Sequence, residues 1–175
     1  MNVFISYTRD KDQFNAISEF ASHLRNELRL YSREANVVMD TSFIQTGDDF
    51  ARVIKNKLEA ADALLIFVSP AWLQSSWCCR EFSYFRSVKR GRSGCFLLMH
   101  MVEGPYDFGG DKEIAKQLKK LQHVDWWKLR HKPWSDEGKL AAITSLARIA
   151  MKKISKLQQT TRRVSRKRRP VRIAA

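Results

Sequence analysis

Ala63-Leu64-Leu65-Ile66-Phe67-Val68, closed by Ser69-Pro70, is apolar at every position and on both parities. A strand with one wet face would alternate apolar and polar residues, so this run reads as the central strand of a parallel sheet covered on both sides. Six residues are far short of the roughly 20 that a membrane helix needs, and no longer apolar run exists in the chain.

The segments on either side follow the same rhythm. Val3–Ser6 opens a short apolar strand, a polar loop Tyr7–Asp12 follows, and Phe14, Ile17, Ala21, Leu24 and Leu28 then recur at helical spacing. Asn36–Met39 is a second strand, ending in a loop from Asp40 to Gly47. Asp48 and Asp49 suit a helix N-terminus, and Phe50, Ile54, Leu58 and Ala61 supply that helix's apolar face. Beyond the central strand the pattern predicts a helix over about 75–89, a turn at Arg90–Gly94, a strand over Cys95–Met101, a surface loop Glu103–Gly110 and a helix over 111–121. A weaker fifth strand is expected over 124–127. Ser135 is expected to cap a final helix carrying Leu140, Ile143, Ala147, Ala150, Ile154 and Leu157. Strands alternating with helices in this way mean right-handed βαβ units and an α/β sheet wound on both faces. Ligands of such sheets sit beyond the carboxyl ends of the strands. Three loops therefore compete to build a site: Tyr7–Asp12, Asp40–Gly47 and Ser69–Ser76.

The 175 residues are 44% hydrophobic and 29% charged, which excludes disorder for the bulk of the chain. The net charge of +14 is unevenly placed. Met1–Glu137 holds 20 Lys and Arg against 18 Asp and Glu, whereas Gly138–Ala175 holds 12 basic residues and no acid. A nearly neutral domain over 1–158 is thus followed by a basic segment over 159–175, expected to be a disordered tail or linker. Its charge suits non-specific contact with nucleic-acid phosphates, without interleaved aromatics to read bases. Three cysteines and no basic leader fit a reduced, cytoplasmic chain. The four histidines (His23, His100, His123 and His131) are scattered in sequence, so no metal site is expected.

Two chemistries common in this fold class are excluded. The turn after the first strand, Tyr7-Thr-Arg-Asp10, has no glycine to cradle a dinucleotide. A phosphoaspartate receiver needs a carboxylate at the end of the third strand, where this chain has Val68-Ser-Pro70. What remains is Ser75-Ser-Trp-Cys-Cys-Arg-Glu81. Trp77 and Glu81 lie four apart and share a helix face. An indole beside a carboxylate suits a substrate with a flat ring and a cleavable sugar bond, where the acid holds ribose hydroxyls and stabilises positive charge on the sugar. The competing reading packs Trp77 into the core and pairs Glu81 with a surface cation. Cys78 and Cys79 have no histidine near them in sequence to act as base, and read as packing.

Val3-Phe-Ile-Ser-Tyr7, Val38-Met-Asp40 with its loop to Gly47, Leu65-Ile-Phe-Val-Ser-Pro70 and Ser75-x-Trp77-Cys-x-x-Glu81-Phe82 together resemble the Toll/interleukin-1 receptor (TIR) domain family, from about Val3 to Lys89. The resemblance implies a flavodoxin-like, five-stranded parallel sheet with helices on both faces. It also implies the activity of the bacterial NAD-cleaving members: an NAD glycohydrolase releasing nicotinamide and ADP-ribose or a cyclic form, with NAD as substrate and no cofactor. Glu81 then falls on the catalytic position, and Thr8, Arg9, Asp40, Phe43, Gly47 and Trp77 on substrate-binding ones. Thr8-Arg9 departs from the two basic residues common in animal relatives. Self-association into a homo-oligomer and a role in bacterial anti-phage immunity or signalling are implied as well. The alternative is a non-catalytic TIR–TIR interaction module.

Overall fold

The central position read for Ala63–Val68 is the one it occupies. In a computed structural model, which describes residues 1–8, 11–39, 48–89, 96–104, 106 and 109–167 (side chains of 11–14, 48–51, 158 and 160–167 excepted), this strand, β3, is buried along its whole length. It pairs in parallel with β1 (Asn2–Ser6) and β4 (Phe96–His100). The sheet is completed by β2 (Asn36–Met39) beside β1 and β5 (His123–Val124) beside β4, giving the order β2-β1-β3-β4-β5. All pairings are parallel, and this is the flavodoxin-like order.

Because successive side chains of a strand point to opposite faces, the sheet divides its residues by parity between two cores. Val3, Ile5, Leu65, Phe67, Leu97 and Met99 pack against α1 (Lys11–Tyr31) and α6 (Glu137–Lys167), meeting Phe20, Leu24, Ile143 and Ala147. Phe4, Leu64, Ile66, Val68, Phe96 and Leu98 pack against the other helices: α2 (Asp48–Ala60), α3 (Pro70–Gln74), α4 (Ser76–Val88) and α5 (Lys112–Leu118). Ser6 and His100 continue this second parity to the carboxyl ends of β1 and β4. Both are buried polar residues.

Five local expectations are revised. α6 continues to Lys167, so the segment over 159–175 expected to be disordered begins as helix. Ser69–Ser76 is not an open loop: Ser69 caps α3, its Oγ accepting from the Trp72 amide, with Pro70 in the first turn. Trp72 is thereby driven into the core at 0% exposure. Gly110, at φ +91°, lets the segment before α5 press against α3, since a Cβ there would stand 2.5 Å from the Leu73 carbonyl oxygen. The fifth strand is shorter and earlier than expected, because Trp126–Lys128 closes a 3₁₀ turn and swings Trp126 edge-on to Phe20 at 5.0 Å. The cap of α6 is Asp136 rather than Ser135, its Oδ1 accepting from the Lys139 amide at 2.9 Å. Leu140 is 40% exposed, outside the apolar stripe assigned to it. Cys95 and Phe108 lie outside the described residues. Among the described residues no helix is long and apolar enough to cross a membrane.

Candidate functional site

α4 begins where α3 ends. Ser75 separates them and caps α4, its Oγ accepting from the Cys78 amide, so the start of α4 is fixed next to the carboxyl edge of the sheet. From there Cys78, Glu81, Phe82 and Phe85 form the helix's buried side. An acid in that set must find hydrogen-bond donors, since an unpartnered buried carboxylate is strongly disfavoured.

Glu81 finds them on two elements. Trp77, one turn earlier on α4, donates its indole Nε1–H to Oε1 at 3.0 Å. Ser6, at the end of β1, donates its hydroxyl to Oε2 at 2.6 Å. The direction of the Ser6 bond follows from a third residue. Trp72 donates its own indole N–H to Ser6 Oγ at 3.0 Å, and an indole nitrogen can only donate. The Ser6 oxygen therefore accepts from Trp72, and its single proton points at Glu81. Trp72, Ser6 and Glu81 form a directed chain joining α3, β1 and α4, which holds the carboxylate in one orientation in a residue 6% exposed.

The sulfur groups serve the same docking. Cys78 Sγ donates to the Tyr7 carbonyl at 3.5 Å, tying α4 to the exit of β1, and burial pushes its thiol up to about 12. Cys79, donating to the Leu73 carbonyl, is also raised by burial. Thiols held protonated in this way are packing groups rather than nucleophiles.

Between α2 and α4 lies a cleft of about 380 Å³, with Ile54, Leu58, Trp77, Arg80, Glu81 and Tyr84 among its walls. That volume is in the range of small-molecule pockets. The Arg80 guanidinium stands 5.0 Å from the centre of the Trp77 ring, and Lys55 Nζ 5.7 Å from that of Tyr84. The floor of the cleft is thus apolar, its acid comes from α4, and two cations stand over its aromatic rings.

Of the residues singled out in the sequence, Trp77 and Glu81 meet directly. Thr8 follows Ser6 by two residues at the strand exit and is half-buried. Arg9, Asp40, Phe43 and Gly47 lie outside the described residues. Ser6 and Trp72 were missed as site residues. A hydroxyl closing an otherwise apolar strand, on the parity that faces the core, was the available signal for Ser6.

A family model described as "TIR domain" matches residues 3–143. The chain belongs to the TIR domain family. Among solved structures, this TIR domain is similar to a prokaryotic SEFIR domain, with 16% identity and a TM-score of 0.52 over 85% of this chain and 97% of that one. It is also matched to the TIR domains of the activated Roq1 resistosome that directly recognises the pathogen effector XopQ, with 14% identity and a TM-score of 0.42 over 91% of this chain and 98% of that one. The curated proteins contain no match to it.

Proposed function

We propose that this TIR domain cleaves the nicotinamide–ribose bond of NAD, with Glu81 as the catalytic acid residue. The observation that carries the reading is a buried carboxylate, oriented through both oxygens by Ser6 and Trp77, on the wall of a small-molecule cleft. As the N-glycosidic bond breaks, its electron pair leaves with nicotinamide, which departs neutral, and positive charge develops at the ribose C1′. A fixed carboxylate stabilises that charge without reorganising. Water, or a hydroxyl of the product itself, then adds at C1′ and loses a proton, giving ADP-ribose or a cyclic form. Trp77 offers a ring beside the acid, and Arg80 and Lys55 offer positive charge for a pyrophosphate. NAD is in this reading a substrate, the active form is a homo-oligomer, and the biological role is that of a bacterial immune effector.

The interaction-module reading also has an observation in its favour. Both Glu81 oxygens are already engaged within the fold, as those of a purely structural acid would be. The experiment that separates the two is nicotinamide release from NAD by concentrated or scaffolded protein, in the parent and in Glu81→Gln. Loss of such an electrostatic contribution costs on the order of 10²–10³ in rate. Glu34→Gln, an exposed acid in the turn before β2, serves as the silent control; Glu59 is less suitable because Tyr84 donates to it beside the cleft. A Glu81→Gln variant that folds and cleaves as fast as the parent excludes the catalytic assignment. A parent inactive even when assembled leaves the interaction module.

A further inference from the structure

The parallel register of β4 and β5 creates a cluster at some distance in sequence from the motifs discussed above. Leu98 pairs with His123 and Met99 with Val124, so His100 and His123 come to lie as diagonal neighbours on one sheet face, with Asp125 alongside. Their rings stack at 3.9 Å between centroids, 10° from parallel. Asp125 Oδ1 stands 3.9 Å from His100 Nδ1 and 3.5 Å from His123 Nε2. One ligand atom from each of the three residues lies within 4.8 Å of the others.

We propose that His100, His123 and Asp125 form a binding site for a divalent metal ion of the zinc class at the carboxyl ends of β4 and β5. Two imidazoles and a carboxylate are a donor set that zinc uses when a fourth position stays open to water or another ligand. With metal–ligand bonds of about 2.0–2.1 Å and a tetrahedral arrangement, ligand atoms are separated by about 3.3 Å. The two ligand pairs stand at 3.5 and 3.9 Å, about 0.2 and about 0.6 Å wider than that spacing.

The groups behind these ligands are arranged as a metal site requires. His100 Nε2 is 2.7 Å from the Tyr106 hydroxyl, so with Nε2 protonated and donating to that oxygen, Nδ1 keeps its lone pair for the ion. Lys128 Nζ takes the other oxygen of Asp125, Oδ2, at 3.1 Å and leaves Oδ1 facing the imidazoles. His100 is buried and sets the position of the site, whereas the side chain of His123 is 44% exposed. Parallel stacked rings cannot both aim in-plane lone pairs at one ion, so binding turns the half-exposed His123 ring out of the stack. The ion would then clamp β5, an edge strand of two residues, to β4.

The test is zinc titration of the full chain, freed of any affinity tag, by calorimetry, with cobalt(II) as a spectroscopic stand-in. One zinc per chain should bind with micromolar or tighter affinity, cobalt should show the visible bands of a four-coordinate ion, and the thermal midpoint should rise with zinc concentration. His123→Ala and Asp125→Asn, both changes at partly exposed positions, should each weaken binding at least about tenfold while the far-ultraviolet spectrum stays that of the parent. Tyr106→Phe should weaken it to a smaller extent, and His131→Ala should leave it unchanged. Absence of saturable micromolar binding in the parent overturns the proposal. So does full-strength binding retained in both His123→Ala and Asp125→Asn.

Discussion

Ser6→Ala removes one hydroxyl that serves two partners. In the parent, Trp72 donates to Ser6 Oγ at 3.0 Å, and Ser6 donates to Glu81 Oε2 at 2.6 Å. The variant leaves a fully buried indole N–H without this acceptor and a buried carboxylate oxygen without its Ser6 donor. A hydrogen bond to a charged group contributes about 1.5–3 kcal/mol, and an orphaned buried donor costs about 1–3 kcal/mol. The two effects share an oxygen and do not simply add, so a loss of about 3 kcal/mol is expected. Urea denaturation of parent and variant reads it directly, the midpoint falling with the slope unchanged. Trp72→Phe supplies the decisive arm, since it deletes the indole donor. In the Ser6→Ala background it should cost less than in the parent, by about 1 kcal/mol or more, because the orphaned donor has been removed. A Ser6→Ala loss below about 0.5 kcal/mol together with an additive cycle refutes the directed chain. For the proposed activity Ser6 is a positioning residue. Ser6→Ala should slow NAD cleavage in kcat more than in KM, under conditions where the variant is fully folded.

Two further outcomes test the packing around this site and the far face. Burial holds the Cys78 thiol at about 12 against an ordinary value of 9.0, so above pH 9 the folded chain keeps a proton that the unfolded chain loses. Stability therefore falls as pH rises from about 9 towards 12, by about 1.4 kcal/mol per unit from this group alone. Cys78→Ala should flatten that part of the slope in denaturation midpoints compared at about pH 8 and about pH 10; an identical slope contradicts the assignment. On the other side of the sheet, Lys139 Nζ donates to the Lys132 carbonyl at 2.7 Å and stands 4.0 Å from the centre of the Trp134 ring. Lys139→Met keeps the stem and removes the ammonium, so it should cost about 2 kcal/mol or more and lower the thermal midpoint. An unchanged midpoint would place the ammonium in solvent.

What was legible in the sequence was whatever lives within one element. The two-sided burial of Ala63–Val68 follows from its own parity, and the Trp77–Glu81 contact follows from a helical spacing of four. What was not legible depends on how elements meet. Ser6 and Glu81 are 75 residues apart, and Trp72 and Ser6 66; they become neighbours only through the order β1-β3 and the docking of α3 and α4. His100 and His123 looked scattered because a parallel register is fixed by the crossover between its strands, not by either strand alone. The Ser69-Pro70 pair does end the strand at Val68, and the same two residues also open a helix, which the strand pattern alone does not show.

Glu81 stands between these two kinds of information. On α4 the buried positions are Cys78, Glu81, Phe82 and Phe85, a stripe at spacings of three and four in which an acid breaks the local rule. A sequence that breaks such a rule carries a compensation elsewhere, or a function, or both. The structure supplies the compensation: a hydroxyl from β1 and an indole from the preceding turn, the hydroxyl itself oriented by a second indole. That compensation makes the acid tolerable, yet replacing a whole buried polar network by well-packed apolar side chains is often neutral or stabilising, whereas removing one member alone strands its partners. On the proposed function, an acid that is tolerated by the fold and held rigidly on the wall of a cleft is one for which stability has been given up for chemistry. The fitting experiment therefore changes the network together, Ser6→Ala with Trp72→Phe and Glu81→Leu: a fold about as stable as the parent, with nicotinamide release abolished, is the result expected of a catalytic acid. A strongly destabilised triple variant, with the parent inactive towards NAD, is the result expected of a structural acid.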